Sequence, residues 1–236
     1  GQLDAADWKG EWISTPDHAP VHADPATLHL PPARRYRKVI RLSKPVKRGV
    51  LHGTALGLVD WRINGRPVTD AWFAPGWADY AQRVHARSHD VTPLLGGDSG
   101  AACLAAEVAD GWYAGYLGYG LLVGYGPHRT GRNFYGTTPA LMGQLDVEYA
   151  DGTRESIVTD PTWQVSHEGP VREADFLMGE KHDARREMPG WDTAAFVPAE
   201  GAWNRAVAAD ANVGVRAPFH EPGSKAERDL GFVRPP

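Results

Sequence analysis

Residues 58–65, Leu-Val-Asp-Trp-Arg-Ile-Asn-Gly, constrain the fold of this chain more than any other stretch. Leu58, Asp60 and Arg62 alternate with Val59, Trp61 and Ile63, the period-two pattern of a strand whose faces meet different surroundings. Asn64-Gly65 then supplies the pair best suited to a type I′ turn, in which both central residues take positive φ. A strand that reverses in two residues predicts an antiparallel neighbour. Beyond the turn come Trp72, Phe73, Trp77 and Tyr80 around Pro75-Gly76, flat rings in a segment too punctuated for a helix.

The same grammar repeats along the chain. Short alternating runs at 34–42, 48–54, 57–63, 66–70, 82–90, 101–109 and 140–149 are separated by turn signals, among them Lys44-Pro45, Gly96-Gly97-Asp98 and Asp151-Gly152. The spacing predicts an all-β fold, an antiparallel β-sandwich of jelly-roll type with a long Gly/aromatic loop over residues 110–139. That loop interleaves Gly111, Gly115, Gly118, Gly120, Gly124, Gly126, Gly131 and Gly136 with Trp112, Tyr113, Tyr116, Tyr119, Tyr125, Phe134 and Tyr135. We expect three segments: an N-terminal edge strand and loop (1–33), the sandwich (34–205) and an extended tail (206–236).

Composition removes several functions. Twenty-five basic against twenty-nine acidic residues give a net charge of −4, which does not favour nucleic acid, and the run Arg34-Arg35-Tyr36-Arg37-Lys38 reads as a solvated strand face. No apolar stretch approaches the ~18 residues of a membrane-spanning helix. The single Cys103 excludes an intrachain disulfide and reads as a buried thiol. No Gly-Lys-Ser/Thr ending follows the glycines, so they do not form a phosphate cradle, and no Gly-x-Ser-x-Gly elbow supports a serine nucleophile. His85 and His89, four apart in a strand, stand about 13 Å from each other, too far for one zinc ion. No organic cofactor is expected.

The order of motifs does carry a resemblance. Leu56-Gly57, Ile63-Asn64-Gly65, Ala74 to Tyr80, Asp90-Val91-Thr92, Asp110 to Gly115, Gly179-Glu180, Asp183-Ala184-Arg185 and Gly190 to Thr193 together resemble the N-terminal β-sandwich of bacterial α-L-rhamnosidases of glycoside hydrolase family 78. The rhamnose-binding module of that family is carbohydrate-binding module family 67. The resemblance implies a non-catalytic domain that binds L-rhamnose or a rhamnose-containing glycan, in a secreted or periplasmic protein. It also implies a catalytic helical barrel C-terminal to this region as partner, and calcium beside the sugar.

Sugars are held by aromatic faces and by fixed polar groups that reach their hydroxyls. Trp77, Trp112, Tyr113 and Tyr116 are the expected platforms, with packing as the alternative for each. Asp110, Glu180, Asp183 and Arg185 are the expected polar partners. If residues 182–188 are a strand, Asp183 and Arg185 share a face and address either a ligand or one another. Asp110, Glu180 and Asp183 offer the hard oxygens a calcium ion takes. Two departures from the family pattern, His89 and His182 where tyrosines are usual, support a second reading: a small self-contained hydrolase or lyase on rhamnose-uronate glycans. His89, His182, Arg185 and Tyr113 would be its catalytic candidates. A spacer packed on a catalytic barrel is a third.

Overall fold

The computed structural model describes residues 7–16, 30–96, 100–117, 131–209, 218–219 and 230–233. Two antiparallel sheets face each other. The six-stranded sheet runs β13 (Asn204–Arg205), β10 (Gln164–Ser166), β2 (Arg34–Leu42), β7 (Gly100–Ala109), β4 (Leu58–Ile63) and β5 (Arg66–Pro67). The eight-stranded sheet runs β14 (Val207–Ala208), β1 (Ile13–Ser14), β8 (Ala140–Tyr149), β3 (Val46–Leu56), β6 (Val84–Asp90), β16 (Leu230–Val233) and β15 (Pro218–Phe219), with β9 (Arg154–Val158) paired to β8. A separate hairpin joins β11 (Val171–Asp175) to β12 (Gly179–His182). Two short α-helices, α1 (Thr92–Leu95) and α2 (Gly111–Ala114), lie among the described residues.

The alternation read in the sequence is what makes the two layers. Val59, Trp61 and Ile63 enter the core between the sheets, beside Leu104, Ala106 and Val108 of β7 and Leu51, Leu141 and Leu145 from the opposite layer. Asn64 and Gly65 take φ of 50° and 80°, as the I′ turn requires. Trp61 is the largest side chain to cross the interface from β4, and it needs room. Gly53 and Gly143 are paired across β3 and β8, and a Cβ on either would lie 2.5 Å from the indole. Trp163 closes the slot edge-on at 6.3 Å.

Several expectations are corrected. Ile13–Ser14 is not an edge strand, because β14 and β8 flank it on either side. The strand expected over 66–70 stops at Pro67, where Val68 donates its N–H back to the Trp61 carbonyl. The 182–188 strand ends at His182, because the Asp183 side chain accepts the Arg185 N–H and starts a 3-10 turn at Ala184–Arg186. The basic run at 34–38 is not a solvated face: Arg34, Arg35 and Arg37 are all buried, Arg34 on the inner side of β2 against Asp110, and Arg35 and Arg37 where the chain returns over the outer side of the six-stranded sheet. Cys103 is buried as expected. Gly118, Tyr119, Gly120, Gly124, Tyr125 and Gly126 of the Gly/aromatic loop lie outside the described residues.

The return segment is a strap over residues 188–203. Arg37 donates to the carbonyls of Trp191 (2.8 Å) and Thr193 (2.9 Å) and to Gln164 Oε1 (3.0 Å), and its guanidinium lies over the rings of Phe196 and Trp203. Arg62 donates to Asp192 at 2.6 Å, and Arg35 lies 4.8 Å from the Trp191 ring. The strap covers Cys103 and Ala105 and leaves the other end of the same face open.

Candidate functional site

That open end is a groove of about 610 Å³. Its floor is built by strand register. On the outer side of β4 and β7, Asp60 stands directly opposite Glu107, and Leu58 opposite Ala109. One wall is the hairpin, through Ala174 and Glu180, which are also opposite each other. The hairpin is fixed to the body by the Ala33 N–H on the Val171 carbonyl (3.1 Å) and by Asp175, whose carboxylate accepts the N–H of Tyr116 at 2.9 Å. The other wall is the loop after β5, with Asp70, Trp72 and Phe73.

The loop holds its rings out of the core. Ala74 is buried and its carbonyl accepts the Val59 N–H at 2.7 Å, which ties the loop to β4. Phe73 has φ 56°, a left-handed conformation that a bulky residue rarely adopts and that a turn this tight imposes. Trp72 is 84% exposed and Phe73 55%. Phe73 meets Trp112 edge-on at 6.4 Å, and Trp112 tilts against Phe176 at 4.7 Å, so the two walls are connected by an aromatic chain.

Four carboxylates line this groove with few cations to balance them. Glu107 Oε2 accepts from Arg35 Nε at 2.8 Å, and Asp60 Oδ2 from Arg62 Nη1 at 3.4 Å. Asp70 and Glu180 have no hydrogen-bond or ion-pair partner among the described residues. Burial raises the Glu107 pKa above the ordinary carboxylate range, against the pull of Arg35, and the charges of Asp60 and Glu180 add to the rise. Burial raises Asp60 as well, with Arg62 opposing and Asp192 adding. A floor of this kind accepts hydrogen bonds and does not donate them.

The sequence-predicted residues distribute unevenly around the groove. Glu180 lines it, and Trp112 supports Phe73 from behind. Trp77 is 59% exposed on the same loop, with His85 Nε2 3.0 Å from its carbonyl oxygen. Tyr113 packs in a second core cluster, 5.3 Å from the Tyr80 ring, and burial pushes its phenol up to about 12, too high for proton exchange near neutrality. Tyr116 is buried too, with the Arg132 guanidinium 5.9 Å from its ring. Asp110 is held between two buried guanidiniums, bonded to Arg34 at 2.9 Å and to Arg132. Asp183 takes a bidentate pair from Arg185 at 2.8 Å, the internal alternative for that pair, and Arg185 itself is exposed. His182 pairs with Glu187 at 3.0 Å on the hairpin, whereas His89 belongs to the eight-stranded sheet opposite Leu51, where its charge bears on His52.

Asp110, Glu180 and Asp183 do not fit a calcium ion: arginines engage two of them, and among the described residues no group of three or more His, Cys, Asp or Glu is arranged to hold a metal. Asp60, Asp70, Trp72, Phe73 and Glu107 escaped the sequence reading. Trp72-Phe73 had a signal, two adjacent rings beside a Pro-Gly turn. Asp60 and Glu107 had none, because their pairing exists only in the register of β4 on β7.

A second groove, about 460 Å³, crosses the outer side of β3, β8 and β9. Most of its polar groups are spent on one another, Arg48 excepted. Gln144 accepts the Lys9 N–H (2.8 Å) and donates to Asp146 (3.1 Å); Ser156 donates to Asp146 (2.7 Å); Glu148 takes Lys47 and Arg154. His52 Nδ1 lies 2.7 Å from Ser88 Oγ, and burial lowers its pKa.

Residues 44–227 match the family model of the α-L-rhamnosidase N-terminal domain. The chain belongs to that family. It is 46% identical to an α-L-rhamnosidase of Streptomyces avermitilis over 165 residues, covering 70% of this chain and 15% of that protein. It is 34% identical to one of Formosa agariphila over 200 residues, covering 83% and 20%. The structure of the S. avermitilis enzyme complexed with L-rhamnose superposes with a TM-score of 0.67 at 40% identity, over 79% of this chain and 18% of that one. An Aspergillus terreus α-L-rhamnosidase superposes at 0.71 with 29% identity, over 93% and 22%. This N-terminal domain therefore spans 15–20% of the length of these curated relatives, which leaves room in them for a larger catalytic domain.

Proposed function

We propose that this domain is a non-catalytic carbohydrate-binding unit of a longer α-L-rhamnosidase, and that it receives L-rhamnose, or the rhamnose end of a glycan, in the groove between the hairpin and the Trp72 loop. The observation that carries this reading is Trp72, 84% exposed above a floor of carboxylates with oxygens still open. An indole kept out of the core at the mouth of a polar groove offers a face for the C–H side of a pyranose, while the floor accepts from its hydroxyls. Relatives named as α-L-rhamnosidases, one of them solved with L-rhamnose, support the choice of sugar. A shallow site of this size holds a monosaccharide with a Kd on the order of 10 μM to 1 mM.

Isothermal titration calorimetry with millimolar L-rhamnose tests the proposal, once with calcium and once with a chelator. Saturable heat that disappears in Trp72→Ala supports it. No heat from the wild-type domain under either condition overturns it.

A further inference from the structure

We infer that the groove selects a neutral sugar by gripping two neighbouring hydroxyls between Asp60 and Glu107, and that it turns acidic sugars away; the inference rests on the groove being the sugar site proposed above.

The geometry comes from register. Asp60 and Glu107 are directly opposed across β4 and β7, an arrangement that places their Cβ atoms about 5 Å apart on one face. Each carboxylate has one oxygen engaged by an arginine of the same face, Glu107 Oε2 by Arg35 and Asp60 Oδ2 by Arg62. The 2.8 Å bond holds the Glu107 plane, the longer 3.4 Å contact only orients Asp60, and Glu107 Oε1 and Asp60 Oδ1 accept from no donor among the described residues. An ionised carboxylate only accepts, so the ligand must donate from both positions. A vicinal diol does that; a uronate carboxylate cannot.

The surrounding charges set the exclusion. Asp70 on the loop and Glu180 on the hairpin face the same space without cationic partners among the described residues, and the nearest lysine on the hairpin, Lys181, is 3.4 Å from Glu173. Arg35 Nε is taken by Glu107 and Arg62 is shared between Asp60 and Asp192, while Arg35 Nη1, which has no hydrogen-bond partner among the described residues, is buried away from solvent. Four carboxylates against two committed guanidiniums leave the groove negative, and walls of low dielectric strengthen that field on a charged guest. A ring stacked on Trp72 is held by its C–H face regardless of charge, so the discrimination falls on the floor.

The test is a calorimetric panel on the full chain: L-rhamnose, L-fucose, D-mannose, D-glucuronate and D-galacturonate, with wild type, Trp72→Ala, Asp60→Asn, Glu107→Gln and the double variant Asp70→Asn/Glu180→Gln. Expected are a Trp72-dependent heat with a neutral sugar and none with either uronate. Asp60→Asn should weaken the neutral sugar at least 5-fold, and the double variant should give a saturable uronate heat that wild type lacks, whatever it does to the neutral sugar. Thermal melts check folding; if Glu107→Gln unfolds because Arg35 is left buried, the half-exposed Asp60 carries the test alone. Uronates binding wild type as well as neutral sugars, or Asp60→Asn leaving affinity unchanged, overturns the inference while the binding function stands. A neutral sugar other than rhamnose at the Trp72 site defeats the choice of rhamnose and leaves this inference intact. No heat with any sugar defeats both.

Discussion

The two outer faces of this sandwich carry grooves of similar size and opposite character. On the eight-stranded sheet, neighbouring side chains satisfy one another: Asp146 takes Gln144 and Ser156, and Glu148 takes Lys47 and Arg154. On the six-stranded sheet the strap covers one end, and at the other Asp70 and Glu180 have no partner among the described residues while Trp72 stands almost wholly in solvent. A surface that has closed its own hydrogen bonds gains little from a ligand, because each new bond must replace an old one. A surface of open acceptors beside an exposed ring has a net gain still to make.

The strap offers the largest effect with which to challenge this contrast. Arg37 is 2% exposed, and its guanidinium meets two strap carbonyls, Gln164 and two aromatic rings. Arg37→Ala should cost about 3 kcal/mol in urea unfolding, since the carbonyls lose a charged donor and the rings lose their cover. A loss below ~1 kcal/mol would mean that the strap holds itself, and the two faces would differ less than their bonding suggests.

Trp72→Ala should weaken sugar binding at least 10-fold, about 1.4 kcal/mol, with an unchanged melting midpoint because the ring is exposed. Asp146→Ala on the opposite face should do the reverse: about 1 kcal/mol of stability lost through Gln144 and Ser156, and affinity unchanged. Affinity that follows Asp146 instead of Trp72 would move the sugar site to the other sheet.

The smallest effect is a difference in pH response. The folded-state pKa of His52 is lowered from 6.5, so the unfolded chain takes up that proton first and stability falls as pH drops through 6.5. Asp60 and Glu107 are raised from 3.8 and 4.5, so the folded state takes up their protons first and stability rises as pH falls from neutral towards those values. His52→Gln should remove the loss near 6.5 and Asp60→Asn part of the gain below it, both measured as melting midpoint against pH.

How far these features were legible in the sequence depends on how local they are. The Asn64-Gly65 reversal, the alternation in β4 and the strands at 34–42, 101–109 and 140–149 follow from adjacent residues, and all of them are present. The basic run at 34–38 was not legible for the opposite reason: the partners of its arginines are Asp110, Glu107 and the Trp191 carbonyl of the strap, between 72 and 154 positions away. Tyr113 and Asp110 looked like site residues because glycines and rings surround them, and the same glycines let the chain pack them inward; Gly136 has no Cβ where the Tyr113 ring lies.

The sequence by itself determined the fold class, the hairpin turn, the buried thiol and, through the order of its motifs, the family. Those properties rest on backbone preferences and on alternation, which neighbours along the chain dictate. Only the tertiary structure decided which polar residues are spent and which are open. Asp60 becomes a floor partner of Glu107, Glu180 a wall, and Asp110 a buried counter-ion through pairings across strands and loops that no local pattern encodes. Whether a carboxylate meets water, an arginine or a ligand is set by what the fold brings opposite to it.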